Sequence, residues 1–358
     1  MALNQNEQAG RNYLKENKPK VYDKVIKFKE KYERGESIAI IQLQYNYICN
    51  MKCHHCSILE FQGDKDKRTI TPADVKNLAD QADAMGLARF VISGGEPTVF
   101  PDLDDVVKAI GPDRFYINCD TNGYLLARKA EHLKEIGIDR MQLSIDSLDA
   151  EAHDEFRRMK GAYDHAIEGI KECQRIGLPL YIQTVVDRPR LYSDEFKKFL
   201  EYFNNMGLMV FVSYAKPVGA WAGQYDNLVR REDYEYMHEL EKTYRVCTHL
   251  TPAYDLDMGC IAVKGFITVT RFGDVQPCPY IHTSIGNILD TPLKDIIDKG
   301  LSIKYFGEHV DTCLIAEDLG FIKKYVAPHI YGRKDVPVPC DEIFTDEDKT
   351  VHPYWLNN

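Results

Sequence analysis

Runs of β-branched and aromatic residues alternate with stretches of helical periodicity along most of this chain. Strand-like apolar runs occupy Ile38–Tyr45, Phe90–Ser93, Phe115–Cys119, Met141–Ile145, Leu180–Val186 and Val210–Tyr214. Between them, apolar positions recur at helical spacing near 72–86, 102–110, 127–137, 150–177 and 194–207. Thr71-Pro72 and Ser193-Asp194 open helices, and Gly86, Gly137, Gly177 and Gly207 close them. Short buried strands separated by helices predict a parallel sheet with right-handed crossovers. Six βα units fall short of the eight in a closed barrel. The expected fold is therefore α/β, a partial (β/α)6 barrel of TIM-like type.

The flanks read differently. Upstream, Val21, Val25, Phe28 and Tyr32 fall at helical spacing within residues 11–34, with Asn17 and Pro19 as start signals, which predicts a helix packed on the barrel. Downstream, 226–246 reads as a helical connector. Phe266–Arg271, Gly273-Asp274 and Val275–Tyr280 then form a hairpin signal. A short helical return follows from Ile288 to Ile297, and Pro328, Pro337 and Pro339 mark an irregular but pinned stretch. The expected division is a helical extension over 1–36, the barrel over 37–225, a connector over 226–250, a small α+β extension over 251–345 and a tail over 346–358.

Composition narrows the function. The 358 residues suffice for a large core, and a 44% hydrophobic and 28% charged balance is ordinary for a soluble enzyme. A net charge of −10 argues against nucleic-acid or anionic-membrane partners. No apolar stretch approaches the roughly 20 residues a membrane helix needs. The opening Met1-Ala2-Leu3-Asn4-Gln5-Asn6 carries no secretory pattern, so a cytoplasmic location is expected. Reduced thiols prevail there, so the ten cysteines point to metal or redox use rather than disulfides. Cys119 and Cys173 sit within strand and helix patterns and read as core residues.

The chemistry-bearing residues fall on the loops that leave the carboxyl ends of the strands, where α/β barrels carry their sites. Cys49-Asn50-Met51-Lys52-Cys53-His54-His55-Cys56 follows the first strand, and Ser93-Gly94-Gly95-Glu96-Pro97 the second. Asp120-Thr121-Asn122-Gly123 follows the third, Ser144-Ile145-Asp146-Ser147 ends the fourth, and Pro217-Val218-Gly219 follows the sixth. Three thiolates within one loop can hold three corners of an iron–sulfur cubane and leave the fourth iron open as a Lewis acid. A zinc-stapled binding module is the non-enzymatic alternative, but zinc motifs pair two knuckles and this loop has no second pair beside it. Alone, Gly-Gly-Glu-Pro is an ordinary turn and Ser-Ile-Asp-Ser an ordinary helix cap.

Taken together, the C-x3-C-x2-C loop and the Gly-Gly-Glu-Pro loop resemble the radical S-adenosylmethionine superfamily over about residues 38–220. The resemblance implies that Cys49, Cys53 and Cys56 hold a [4Fe–4S] cluster whose open iron chelates the amino and carboxylate groups of S-adenosylmethionine. It implies that Gly94, Gly95, Glu96 and Pro97 hold the methionine amino group. Ser144 and Asp146 would contact the ribose or the methionine carboxylate, with Asn122 nearby. His55 stands where relatives carry a larger aromatic residue near the adenine. The implied reaction is reductive cleavage to a 5′-deoxyadenosyl radical that takes a hydrogen from substrate, with electrons from a flavodoxin- or ferredoxin-type reductant.

A second group of cysteines follows. Cys260 and Cys278 lie seventeen residues apart around the hairpin, with Cys313 and Cys340 later and Cys247 before. A hairpin that joins two thiols, plus two from later loops, suits a further iron–sulfur cluster. The segment from Gly259-Cys260 through Pro277-Cys278-Pro279 to Ile285-Gly286-Asn287-Ile288 resembles the SPASM extension in its shorter twitch form. That resemblance implies one auxiliary [4Fe–4S] cluster on Cys260, Cys278, Cys313 and Cys340, with Cys247 as a replacement for either later ligand.

Relatives with this extension oxidise small polar molecules, modify peptides, or rearrange nucleotides. The chain has no winged-helix segment before Ile38, and Pro279 stands where sulfatase-maturating relatives carry an acidic base. Nucleotide-cyclising relatives end in a glycine-rich tail, whereas this chain ends Trp355-Leu356-Asn357-Asn358. The expected reaction is oxidation or a related radical modification of a small polar substrate, with modification of a ribosomal peptide as the alternative. Tyr214, Lys216, Trp221 and Arg271 are candidate substrate-handling residues.

Overall fold

The computed structural model describes residues 5–58, 61 and 67–350; the last part of the expected tail lies outside them. Six strands pair in parallel in chain order: β1 (Ile40–Asn46), β2 (Arg89–Gly94), β3 (Tyr116–Thr121), β4 (Arg140–Ser144), β5 (Leu180–Val186) and β6 (Met209–Tyr214). A two-residue β7 (Val246–Cys247) adds a seventh parallel strand beside β6, which the sequence pattern did not predict. Two residues are too few to display a periodicity.

One face of each strand packs on the surrounding helices. Ile41, Leu43, Phe90, Ile92, Ile117, Met141, Leu143, Ile182, Val210 and Val212 are fully buried there. The alternate positions point into the lumen, and many are polar: Gln42, Ser93, Asn118, Asp120, Gln142, Gln183 and Ser213 line internal cavities. Closed α/β barrels fill this space with branched apolar side chains. Here it is left open and polar.

The hairpin of β8 (Phe266–Val269) and β9 (Asp274–Gln276) forms as the Gly273-Asp274 signal predicts. Its β8 pairs in parallel with β1, so the extension continues the barrel sheet. Short strands β10 (Thr283–Ser284), β11 (Gly286–Asn287) and β12 (Val338–Pro339) follow, with β11 beside β9 and β10 beside β12. The sheet stays open between β7 and β8. Residues of the intervening segment, among them Thr248, Pro252, Met258 and Ile261, line the same cavity as the lumen side chains and so cover that gap.

Local signals set most helix ends. Thr71 and Asp74 form a capping box before helix Pro72–Ala84, Ser193 caps Asp194–Asn205, and Gly177 closes Ala162–Ile176 in the left-handed region. The helix expected over 150–177 is two, Ala150–Arg157 and Ala162–Ile176. The break falls at Arg158, with φ +55°, and Gly161, with φ +78°. Upstream, the chain forms Gln5–Asn17, Pro19–Val25 and Phe28–Glu33 rather than one helix. These short helices bury Val21, Val25, Phe28 and Tyr32, and Lys18 reaches Asp139 at 2.7 Å. No helix among the described residues is long and apolar enough to cross a membrane.

Candidate active site

The loop after β1 is gripped from several sides. Gly95 N donates to Asn46 O at 2.8 Å, and Glu96 N donates to Ile48 O at 2.8 Å. A Cβ added at Gly94 would lie 2.3 Å from Asn46 O, and one at Gly95 would lie 2.0 Å from Ile48 O. The two glycines are thus needed for close approach to the cysteine loop itself. From β3, Asn122 Nδ2 donates to Asn50 Oδ1 at 2.8 Å. From the helix after β4, Phe156 O accepts from His54 N at 3.1 Å, and beyond β6, Ala220 N donates to Cys56 O at 3.1 Å.

Cys49, Cys53 and Cys56 line one cavity of about 940 Å³ together with Gly94, Gly95, Glu96, Asn122 and Ser144. All three thiols are free. Burial pushes the Cys49 thiol up to about 11, and the nearby Glu96, Cys53 and Cys56 add to that. Such a thiol is a ligand when a cation takes the place of its proton. Among the described residues, no three His, Cys, Asp or Glu side chains converge as the ligands of a single metal ion. A cubane presents its irons at separate corners, so its thiolates need not meet at a point. The donor set and the cavity beside it fit a [4Fe–4S] centre.

Glu96 is buried at 1% exposure. Its Oε1 accepts from Thr98 Oγ1 at 2.5 Å and Thr121 Oγ1 at 2.7 Å, and its Oε2 accepts from Asn122 N at 2.7 Å. Burial raises its pKa against these bonds, which lower it. The carboxylate joins the second loop to the third at the cavity wall. Pro97 lies within the short turn Pro97–Val99 and is absent from the cavity wall.

Asp146 is also off the wall. Its Oδ2 accepts from Arg157 Nε at 2.7 Å and Nη2 at 2.6 Å, and its Oδ1 accepts from Val185 N at 3.1 Å. Burial would raise its pKa, but Arg157, with His55 and Arg190 beyond it, holds the carboxyl well below the usual range. Arg157, which sequence reasoning missed, does line the cavity, with Nη1 3.9 Å from Cys53 Sγ. No local motif marks it. Only the return of its helix over the loop brings it to the thiol.

His55 stacks on Phe156 with centroids 4.6 Å apart and planes 7° apart, and Trp221 lies 5.9 Å away. Burial, then Arg157, drives its imidazole down to about 4, so it is neutral near pH 7. Its Nδ1 is buried without a hydrogen-bond partner. A flat ring with an unspent polar atom beside the three thiols suits a heteroaromatic ligand.

A second cavity of about 460 Å³ adjoins the first, sharing Gln42, Asp120, Gln183, Ser213, Lys216 and Tyr280 in its wall. Cys260, Cys278 and Cys313 line it. Burial and then Cys260 push Cys278 up to about 12; Cys313 stands at about 11, raised by burial and Cys260 against the lowering effect of Lys216. Cys340 does not join them. It begins a short turn on the far side of β12, where its charged neighbours are Lys299 and Asp341, and it lines neither cavity. Cys247 lies on the wall of the second cavity with Arg140 and Glu241, rather than another thiol, as its charged neighbours.

Tyr214, Lys216 and Trp221 all line the larger cavity. Lys216 Nζ donates to Ser213 Oγ and Tyr214 O and lies 4.2 Å over the Tyr280 ring; burial lowers its pKa against the nearby Cys313 and Cys278. Arg271 is on neither wall; its carbonyl accepts from Ile70 N in the hairpin turn. Asp120, missed as a site residue, stands where the two cavities meet, with Oδ1 unpartnered and its pKa raised by burial to about 7.

Comparison with known proteins agrees with this geometry. Residues 43–203 match the Radical SAM superfamily. An AdoMet-dependent heme synthase of Methanosarcina barkeri is 27% identical over 279 residues, covering 69% of this chain and 78% of the relative. A probable GTP 3',8-cyclase of Saccharolobus islandicus is 28% identical over 277 residues, covering 72% and 87%. The fold is similar to Streptococcus suis SuiB bound to precursor peptide SuiA, with a TM-score of 0.58 and 19% identity over 75% of this chain and 66% of that one. It is also similar to anSMEcpe with bound AdoMet, at a TM-score of 0.55 and 17% identity over 73% and 80%. The family match runs from within β1 to the helix after β5, the span that carries the gripped cysteine loop and its lumen. Residues 43–203 thus carry a radical SAM domain, and the chain is similar to enzymes that share it.

Proposed function

We propose that this enzyme oxidises or otherwise modifies a small polar substrate held in the barrel lumen between two iron–sulfur sites. The match of residues 43–203 to the Radical SAM superfamily implies S-adenosylmethionine and one [4Fe–4S] cluster. That pair, when bound, supplies reductive cleavage of a sulfonium and hydrogen abstraction from substrate. The observation that carries the reading is the gathering of Cys49, Cys53, Cys56, Gly95, Asn122 and Ser144 on one cavity wall.

The chain's own part is positioning. Cys49, Cys53 and Cys56 would hold the cluster, and Arg157 beside Cys53 favours the thiolate form. Arg157 also offers a cation toward the methionine carboxylate, with Asp146 fixing its fork. His55, stacked on Phe156 with Trp221 beside it, would form the aromatic wall against which the adenine rests. The backbone of Gly94, Gly95 and Glu96 would take the methionine amino group, with Asn122 and Ser144 toward the ribose. An enclosed lumen keeps water from a reactive radical.

Cys260, Cys278 and Cys313 would hold an auxiliary cluster on the second cavity. His249 lies on the same wall, kept neutral because burial drives its imidazole down to about 3. Lys216 supplies a positive charge beside Cys278 and Cys313, which eases reduction of a centre there. The names of the heme synthase and GTP cyclase relatives, both pointing to small molecules, support this substrate class over a peptide.

The test is anaerobic reconstitution, iron and sulfide counting, and incubation with dithionite and S-adenosylmethionine. About eight irons per chain and release of 5′-deoxyadenosine are expected. Cys260→Ala, Cys278→Ala or Cys313→Ala should each reduce the count to about four, whereas Cys340→Ala should keep it at about eight. Four irons in the unaltered protein would remove the auxiliary site, and no iron on the first loop would remove the whole reading.

A further inference from the structure

The floor of the lumen carries two cations that form no ion pair among the described residues. Arg89 and Arg140 are the first residues of β2 and β4, and both line the 460 Å³ cavity. Aromatic rings frame them: Arg140 Cζ lies 3.9 Å from the Tyr181 centroid and 5.8 Å from that of Tyr116, and Arg89 Cζ lies 5.3 Å from the Tyr116 centroid. Neither guanidinium has an ion-pair partner among the described residues, and Arg140 Nε is buried with no hydrogen bond at all. The nearby carboxylates are committed elsewhere or stand apart. Asp139, whose charge acts on Arg89, binds Lys18 at 2.7 Å and accepts from Ile117 N, and Asp120, one pleat above and within the field of Arg140, takes Gln42 on Oδ2 with Ser93 beside it.

An enclosed guanidinium without a counter-ion is costly, and a buried site that keeps one is completed by an anion. Asn118, opposite Arg140 in the sheet, lines the same wall. The floor is closed beneath by Tyr254, which packs edge-on against Phe28 at 5.0 Å and is held by two consecutive left-handed residues, Tyr254 and Asp255. The seam with the larger cavity lies above.

We infer that Arg89 and Arg140 bind an anionic group of the substrate, a carboxylate or a phosphate, so that its reacting end is held up at the seam near Asp120. This rests on the lumen being the substrate site, as proposed above. Planar guanidinium groups stacked on tyrosines pair with either anion through two parallel hydrogen bonds. The inference makes the substrate an acid with a polar body rather than a neutral sugar or amine.

Isothermal titration of the anaerobically reconstituted enzyme, with S-adenosylmethionine present, tests it with two probes, glutarate and pyrophosphate. One of the two should bind once per chain, and which one does assigns carboxylate or phosphate. Arg140→Gln should weaken that binding by about tenfold or more, Arg89→Gln by a comparable factor, and Arg140→Lys by less than Arg140→Gln. Arg140→Met adds a second readout. If the arginine is kept for a ligand, its melting temperature without anion will equal or exceed that of the unaltered enzyme; a structural arginine would lower it. Unaltered enzyme that releases 5′-deoxyadenosine but binds neither anion at about 20 mM, or variants that bind as well as it does, would overturn the inference and leave the proposed function standing. Absence of 5′-deoxyadenosine release would instead strike the proposed function.

Discussion

Arg157→Met removes one half of the buried pair that joins the end of the fourth strand to the helix lying over the cysteine loop. Asp146 would then be left at 8% exposure with Val185 N as its one remaining partner. Breaking a buried pair from one side costs about 3–5 kcal/mol, because the surviving charge stays desolvated. With roughly 2 cal/mol/K of unfolding entropy per residue over 358 residues, 4 kcal/mol corresponds to a fall of about 5 °C in melting temperature. Asp146→Asn should cost a similar amount by stranding Arg157. The double variant removes both charges and should cost no more than either single one. Thermal unfolding followed by circular dichroism on the cluster-free chain reads all four corners of this cycle. If the two single effects simply add, or each is below about 1 kcal/mol, the pair does not organise the loop and the argument fails. In reconstituted protein, Arg157→Met should also slow cluster uptake, since the cation beside Cys53 is gone.

Gly95→Ala would put a Cβ 2.0 Å from Ile48 O, so the cysteine loop must move; iron retention should drop sharply and stability by about 1–3 kcal/mol, both measurable after anaerobic desalting. Asp120 gives a pH signature. Its pKa is raised from 3.8 to about 7 by burial, so the folded state holds a proton that the unfolded chain has released between those values. Stability from this group is therefore full below about pH 4 and lost as pH rises toward 7, by about 4 kcal/mol in all. Asp120→Asn should abolish that slope, seen as a difference between denaturation curves at pH 5 and pH 8; an unchanged slope would count against a proton on Asp120. Glu96→Ala leaves Thr98, Thr121 and Asn122 donors unsatisfied and should destabilise by several kcal/mol, while Glu96→Gln, which keeps the acceptor oxygen, should lose less.

Much of this protein was legible in one dimension because the signals are local. The βα alternation, the capping residues Thr71 and Ser193, and the Gly273-Asp274 hairpin act through neighbouring backbone, and they formed as read. The three-cysteine motif, written in eight consecutive residues, lies along one cavity wall. Where the local text was weak, the reading slipped. Arg158 and Gly161 split a helix that its apolar pattern ran together, and the two-residue β7 had no pattern to offer.

What the tertiary structure decided is which side chains share a wall. Periodicity assigns Arg89, Asn118, Asp120 and Arg140 to the face opposite the core, but whether that face meets water or a closed lumen depends on the sheet curling and on residues 248–265 covering its gap. The same holds for Cys340, whose spacing suits a ligand while its turn carries it toward Lys299. Glu96 and Asp146 sit in motif positions, and both carboxylates accept from the protein's own donors, while Arg157, outside any motif, reaches the cavity. Ligand spacing and capping are short-range geometry that a sequence carries by itself; the partners of a buried charge are set by long-range packing, and only the folded chain supplies them.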